Sequence, residues 1–226
     1  MARAPDGARP PKSRLASVLP DARDRRRLYT AFLADTVRAC RALDRLTLRV
    51  AWTPDGRTGG FDRAGITPDE LLPQRGSDLG TRERGVFEDL FTAGVPAVVM
   101  VGSDLPTLPA GRMREAQSRL DGDPSEVVLG PADDGGYYLM ALARSPGGVT
   151  VPDLFTGIRW STPYTLDDTM AAATRTGRRV TLLERWHDVD DAAGLARLRG
   201  ELATPEGAER APATRAVIDE LFNQRA

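Results

Sequence analysis

The sequence predicts an α/β protein built on a mostly parallel sheet with helices on both faces. Two observations lead to that class. Short apolar runs alternate with stretches of helical periodicity from one end of the chain to the other. The run PAVVMVG, Pro96 to Gly102, is apolar almost throughout, the pattern of a strand covered on both sides. A third observation concerns function: the charged clusters follow apolar runs, and open α/β sheets gather ligands at the carboxyl ends of their strands.

The elements follow in order. Residues 1–20 are rich in Pro, Arg and small residues and read as a loop. Leu28, Phe32, Val37, Cys40 and Leu43 recur at helical spacing, so Asp24 to Leu43 is predicted as an amphipathic helix. LTLRVAW (Leu46 to Trp52) reads as a strand, residues 53–60 as a turn or loop, and residues 66–74 fit neither period. A helix is predicted from Thr81 to Ala93 with Gly94 as its stop, then the strand at 96–102 and a helix from Ala110 to Leu120. Glu126 to Gly130 and Tyr137 to Ala143 read as strands around the turn GPADDGG. Thr165 to Thr176 is predicted helical, Arg179 to Arg185 a strand, and Asp191 to Arg199 a short helix. Residues 201–212 read as a Pro/Gly/Ala-rich linker before a final helix with Val217, Ile218, Leu221 and Phe222 on one side. The expected organisation is one domain over residues 1–200, then a linker and amphipathic helix over 201–226. Folds of this class begin with a buried central strand, yet this chain opens in a loop. Met1-Ala2 is read as the stump of that strand, and the first central strand is expected to be missing.

Composition narrows the chemistry. Across 226 residues, Lys+Arg is 31 and Asp+Glu is 32, for a net charge of −1, so no bulk attraction to nucleic acid or anionic membrane follows. One cysteine and one histidine, His187, exclude a disulfide framework and multi-histidine metal sites within the chain. No apolar run approaches the ~18 residues of a membrane span. The expectation is a soluble, cytoplasmic protein whose chemistry rests on carboxylates, arginines, hydroxyls and backbone. Lys12 is the only lysine.

Three clusters carry that chemistry. RAPDGARPPKSRLA (Arg3 to Ala16) is a Pro/Gly-shaped loop with Arg9, Lys12 and Arg14 ahead of a helix. Backbone N–H groups and guanidinium forks in such a loop suit phosphate, and Arg3, Gly7, Arg9, Lys12, Ser13 and Arg14 are the candidates. The same composition also fits a disordered basic arm. Asp104 ends the apolar run VVMVGS, where a carboxylate is placed to hold Mg²⁺ or Mn²⁺ over a nucleotide diphosphate, or else to cap the next turn. In WHDVDD, Asp188 and Asp190 lie two residues apart and share one face if extended; two carboxylates so placed repel unless a cation separates them. Asp191 reads as a helix cap, and His187 as a surface residue. In GPADDGG, Gly135-Gly136 permits either a close ligand approach or an ordinary hairpin turn, and Asp134 is a candidate for a sugar or acceptor hydroxyl.

KSRLA, LYTAFLADT, QRGSDLGTR, VVMVGSDLP, VVLGPADDGGYYLMAL, LFTGIRWST and WHDVD occur in this order. Together, over about residues 2 to 199, they resemble a bacterial family of glycosyltransferase-like proteins related to 2-phospho-L-lactate guanylyltransferase, within the nucleotide-diphospho-sugar transferase superfamily. The resemblance implies a GT-A, Rossmann-like fold. It implies phosphate contacts from Lys12 and Arg14, a metal held by Asp104 with Asp188 or Asp190, and an acceptor side at Asp133, Asp134, Gly135, Gly136, Trp160, Ser161 and Thr162. The chain departs from the family after Asp-Val-Asp, where Asp191 and Gly194 stand in place of a Thr and an acidic residue.

The combined expectation is a Mg²⁺- or Mn²⁺-dependent transferase with an NTP or NDP-sugar and a small-molecule acceptor as partners. In nucleotidyl transfer to a phosphorylated acceptor, Lys12 and Arg14 neutralise phosphate charge. In glycosyl transfer from an NDP-sugar, Asp134 or Asp133 deprotonates the acceptor. The two stand near parity, and a non-catalytic nucleotide-binding protein is the third reading. A homodimer through the last helix completes the expectation.

Overall fold

The computed structural model describes residues 1–54, 59–145 and 150–223. Its elements are β1 (Ala2–Arg3), α1 (Ala22–Arg41), β2 (Val50–Thr53), β3 (Leu71–Pro73), α2 (Leu79–Thr92), β4 (Ala97–Val101), α3 (Ala110–Gly122), β5 (Val127–Pro131), β6 (Tyr137–Ala143), α4 (Thr165–Arg175), β7 (Val180–Leu182), α5 (Ala192–Leu202), α6 (Pro205–Arg210) and α7 (Pro212–Asn223). The loop expected over 53–60 lies partly outside the described residues. The chain divides into two compact units: Met1–Pro73 with Ser103–Ala110 and Asp188–Ala226, and Gln74–Gly102 with Gly111–His187. Among the described residues, no helix is long and apolar enough to cross a membrane.

The first unit is organised around α1. Asp21 caps it by accepting the Arg23 N–H at 2.8 Å. The helix carries two apolar stripes. Tyr29, Leu33 and Val37 cluster with Ala2, Ala4, Val50, Phe61 and Ile66 beside a parallel sheet ordered β1-β2-β3. Leu28 and Phe32 cluster with Leu15 and Leu19, and with residues of α5 and α7. Burying one such large side chain is worth ~1.5–3 kcal/mol, so two stripes hold one helix from two sides. Of the stump read at Met1-Ala2, Ala2 lies with Arg3 in the short strand β1, opposite Trp52 and Thr53 in parallel register. The strand expected over 46–52 is confined to Val50–Thr53.

The segment expected to be a linker is structured. α5 runs to Leu202, and Thr204 caps α6 by accepting the Gly207 N–H at 3.1 Å, with Pro205 in the first turn. The apolar stripe of the last helix docks on its own unit: Ile218 and Leu221 are buried in the cluster around Phe32, with Val217 and Phe222 against it.

The second unit holds a mixed sheet ordered β4-β6-β5-β7. Only β5 and β7 run parallel; β6 is antiparallel to both β4 and β5. The apolar run at 96–102 is therefore not in a parallel pairing. The cause is the turn at 131–136. Gly135 has φ +86°, and a β-carbon there would lie 2.3 Å from the carbonyl oxygen of Pro163. That tight turn returns β6 alongside β5 as a hairpin, and a hairpin pairs antiparallel.

Candidate functional site

The first unit brings together Lys12, Asp104 and Asp190, which are far apart in sequence. Lys12 follows Pro10-Pro11 and has φ 56°, ψ 42°, the left-handed region, just ahead of a 3-10 turn over Ser13–Ser17. A residue with a β-carbon pays ~1–2 kcal/mol there. The conformation is held from both sides. The Leu15 N–H donates to the Lys12 carbonyl at 3.0 Å, and the Leu15 side chain is fully buried against Leu28 and Phe32. The ammonium lies 5.8 Å from the centre of the Phe32 ring.

Lys12 Nζ sits 2.7 Å from Asp104 Oδ2 and 2.7 Å from Asp190 Oδ1, with its side chain 4% exposed. Burial is the largest influence on this ammonium and favours its neutral form. The charges and hydrogen bonds of Asp104 and Asp190 outweigh it, and the pKa is raised above the ordinary lysine value. The carboxylates remain reachable, at 31% and 42% exposed. Arg14, 76% exposed, stands 3.6 Å from Asp190 Oδ2.

The two acidic segments are tied by backbone, since the Val189 N–H donates to the Asp104 carbonyl at 3.1 Å. Val189 is buried between half-buried Asp188 and Asp190, the alternation that their spacing predicts. Asp191 caps α5 by accepting the Gly194 N–H at 2.9 Å. A β-carbon at Gly194 would lie 3.2 Å from the Asp188 carbonyl, so the missing side chain lets the acidic segment lie close against the helix.

Sequence reasoning missed three supporting residues. Ser103 Oγ lies 3.2 Å from Asp104 Oδ1 and 3.2 Å from the Tyr29 hydroxyl. That hydroxyl also accepts the Arg3 N–H at 2.9 Å. Burial first, and the Asp104 charge second, push the Tyr29 phenol well above its ordinary pKa, so it stays a donor. Arg26 donates to the carbonyls of Pro5 and Gly7, at 2.9 and 3.2 Å, and so shapes the loop that leads to Lys12. Tyr29 and Arg26 lie on a helix whose pattern signals only packing and solvation. Within the loop Gly7 is buried, and Arg3, Arg9 and Ser13 are exposed.

Asp104 and Asp190 offer hard oxygen donors to a divalent cation. Among the described residues, no three His, Cys, Asp or Glu side chains gather to hold a metal, so Asp188 does not complete a protein-only site. Two partly exposed carboxylates fit Mg²⁺, which keeps waters and is commonly bound by one or two carboxylates plus substrate phosphates.

In the second unit, the residues expected on an acceptor side are tied into their own turns. Asp134 Oδ1 accepts the Gly136 N–H at 2.8 Å, and the Asp133 N–H donates to the Trp186 carbonyl at 3.1 Å. Trp160 stacks on Phe155 with centroids 6.5 Å apart, Ser161 has φ 58°, and Thr162 Oγ1 donates to the Arg159 carbonyl at 2.7 Å. Tyr137, next along, donates its hydroxyl to buried Glu83 at 2.6 Å, and burial lifts the Glu83 carboxyl to about 7. His187, expected on the surface, is buried and stacks on Trp186 at 5.2 Å.

Residues 36–162 match the family described as "Uncharacterized protein conserved in bacteria (DUF2064)". The chain is 33% identical over 195 residues to 2-phospho-L-lactate guanylyltransferase from two strains of Halobacterium salinarum, covering 84% of this chain and 80% of each relative. Its fold superposes on a crystal structure from Desulfovibrio desulfuricans G20, described as a "putative nucleotide-diphospho-sugar transferase", with TM-score 0.82, 28% identity, and 98% and 94% of the two chains covered. The chain belongs to the DUF2064 family and is a transferase, homologous to 2-phospho-L-lactate guanylyltransferase, with the nucleotide-diphospho-sugar transferase fold.

Proposed function

We propose that the chain catalyses nucleotidyl transfer from an NTP to a small phosphorylated acceptor, with Mg²⁺ or Mn²⁺ held by Asp104 and Asp190. The observation that carries this reading is the trio of Lys12, Asp104 and Asp190, one buried cation gripped by two reachable carboxylates. GTP is the first nucleotide to test, because the curated relatives are named for guanylyl transfer.

In the reaction, an oxygen of the acceptor phosphate attacks the α-phosphorus. The bond from that phosphorus to the α–β bridging oxygen breaks, pyrophosphate leaves with the electron pair, and a new P–O–P link joins nucleotide and acceptor. When bound, a divalent ion supplies positive charge along the phosphates. Lys12 carries three N–H donors, of which two go to Asp104 and Asp190, leaving one for a phosphate oxygen. Arg14 is exposed beside Asp190 and adds a guanidinium fork. Ser103, itself in contact with the Tyr29 hydroxyl, donates to the second oxygen of Asp104, so the carboxylate is oriented before substrate arrives.

The test incubates the protein with Mg²⁺, GTP and 2-phospho-L-lactate, and measures pyrophosphate. The expected result is acceptor-dependent release of one pyrophosphate per turnover. No pyrophosphate from any of the four NTPs, together with free NDP from an NDP-sugar, overturns this reading in favour of glycosyl transfer.

A further inference from the structure

Each carboxylate oxygen of Asp104 and Asp190 already faces a partner. Lys12 Nζ takes Asp104 Oδ2 and Asp190 Oδ1, both at 2.7 Å. Ser103 Oγ lies 3.2 Å from Asp104 Oδ1, and Arg14 stands 3.6 Å from Asp190 Oδ2. The two negative charges are thus met by one buried ammonium and one exposed guanidinium. The ammonium is anchored through its own backbone. The Leu15 N–H donates to the Lys12 carbonyl, and the Leu15 side chain is buried. A group tethered in this way competes at an effective concentration on the order of mM or higher, which dilution does not lower. The oxygens that suit a divalent cation are the same ones that Lys12 holds.

Resting on the reading above, in which Asp104 and Asp190 hold the divalent ion, we infer that Lys12 is a built-in competitor of that ion. It keeps the carboxylate pair closed to free metal and opens it to metal that arrives with a polyphosphate. A dication alone must strip an ammonium bond from each carboxylate. It also lacks the substrate phosphates from which Mg²⁺ on one or two carboxylates ordinarily draws further ligands. A polyphosphate shifts the balance, because it offers Lys12 and Arg14 other anionic oxygens. The third Lys12 N–H is its point of attachment. Metal and polyphosphate then raise each other's affinity by the same factor, since such coupling is reciprocal. Burial separates this trio from an ordinary surface ion pair, whose hold is too weak to exclude a metal; the Lys12 side chain is 4% exposed.

The test has two arms, both without nucleotide. The first measures Mn²⁺ binding to wild type and Lys12→Met by electron paramagnetic resonance. Met keeps the length of the side chain and its place near the Phe32 ring. The second uses wild type alone. Lys12 is the only lysine, so isotope-labelled lysine gives a single side-chain NMR signal to follow during a Mg²⁺ titration. Lys12→Met is expected to bind Mn²⁺ roughly tenfold or more tightly than wild type. The lysine signal of wild type is expected to shift along the curve on which Mg²⁺ displaces Mn²⁺. Equal or weaker Mn²⁺ binding in folded Lys12→Met overturns the inference. If that variant does not fold, the second arm decides: a lysine signal that stays in place while Mg²⁺ displaces Mn²⁺ overturns it as well. Mn²⁺ binding to neither protein overturns the metal assignment beneath it. Failure to release pyrophosphate in the transfer assay is a separate result and leaves the competition standing.

Discussion

Lys12 adopts a backbone conformation that costs ~1–2 kcal/mol, held by the bond from Leu15 and the burial of Leu15, and it buries an ammonium that the two carboxylates at 2.7 Å offset. The sequence made Lys12, Asp104 and Asp190 legible as chemistry-bearing residues, and the family resemblance implied that Asp104 meets Asp188 or Asp190. The direct ion pairs of Lys12 with both carboxylates were not legible, because pairing across nearly the whole chain leaves no local signal. Glu83 was invisible for a different reason. Flanked by arginines in TRERGVF, it looks like a solvated helix position, yet it is buried against Tyr137. Its carboxyl is lifted from 4.5 to about 7, so the folded state holds a proton that the unfolded state releases. Its contribution to stability is therefore full below pH ~4.5 and is lost as pH rises towards 7. At ~1.4 kcal/mol per unit the loss is on the order of 3 kcal/mol. Denaturant titrations of Glu83→Gln from pH 4.5 to 7.5 are expected to remove that slope; an unchanged slope contradicts the assignment.

At the scale of elements, α1 was readable because its apolar residues recur at helical spacing and Asp21 marks its start. The orientation of β6 was left open, because a continuous apolar run records burial and not strand direction, and Gly135-Gly136 fits a ligand approach as well as the hairpin turn that sets it. The supposed linker at 201–212 was misjudged on composition. Its Thr-Pro pair is a helix start, and two residues of α1 receive the helices around it. Arg38 donates to the carbonyls of Glu209 and Arg210, at 2.6 and 2.7 Å, at the end of α6. Asp35, 1% exposed, accepts the N–H groups of Ala213 and Thr214, at 3.2 and 2.7 Å, and so caps α7 from outside. Removing that cap leaves a buried donor, on Thr214, and a part-buried one, on Ala213, without their acceptor. Asp35→Ala is expected to cost about 2 kcal/mol and to speed amide exchange at the start of α7. Unchanged exchange there would show that the cap is not what holds the helix.

Across the whole molecule, charge is nearly balanced, and function rests on local arrangement rather than net field. The fold class was legible in the alternation of elements, and the family in the order of its motifs. The division into two units was not, because the first unit is assembled from three separate stretches of chain. That unit holds the loop at 3–16, Asp104 and the Asp-Val-Asp segment together, and the proposed binding of a divalent ion and a nucleotide at Asp104 rests on this arrangement. The direct measurement is GTP binding to wild type and Asp104→Asn, with and without Mn²⁺, alongside the thermal midpoint of each. Mn²⁺-dependent binding is expected to fall at least tenfold in the variant, with the midpoint within a few degrees of wild type because Asp190 still pairs with Lys12. Undiminished Mn²⁺-dependent binding in a folded Asp104→Asn protein contradicts the account.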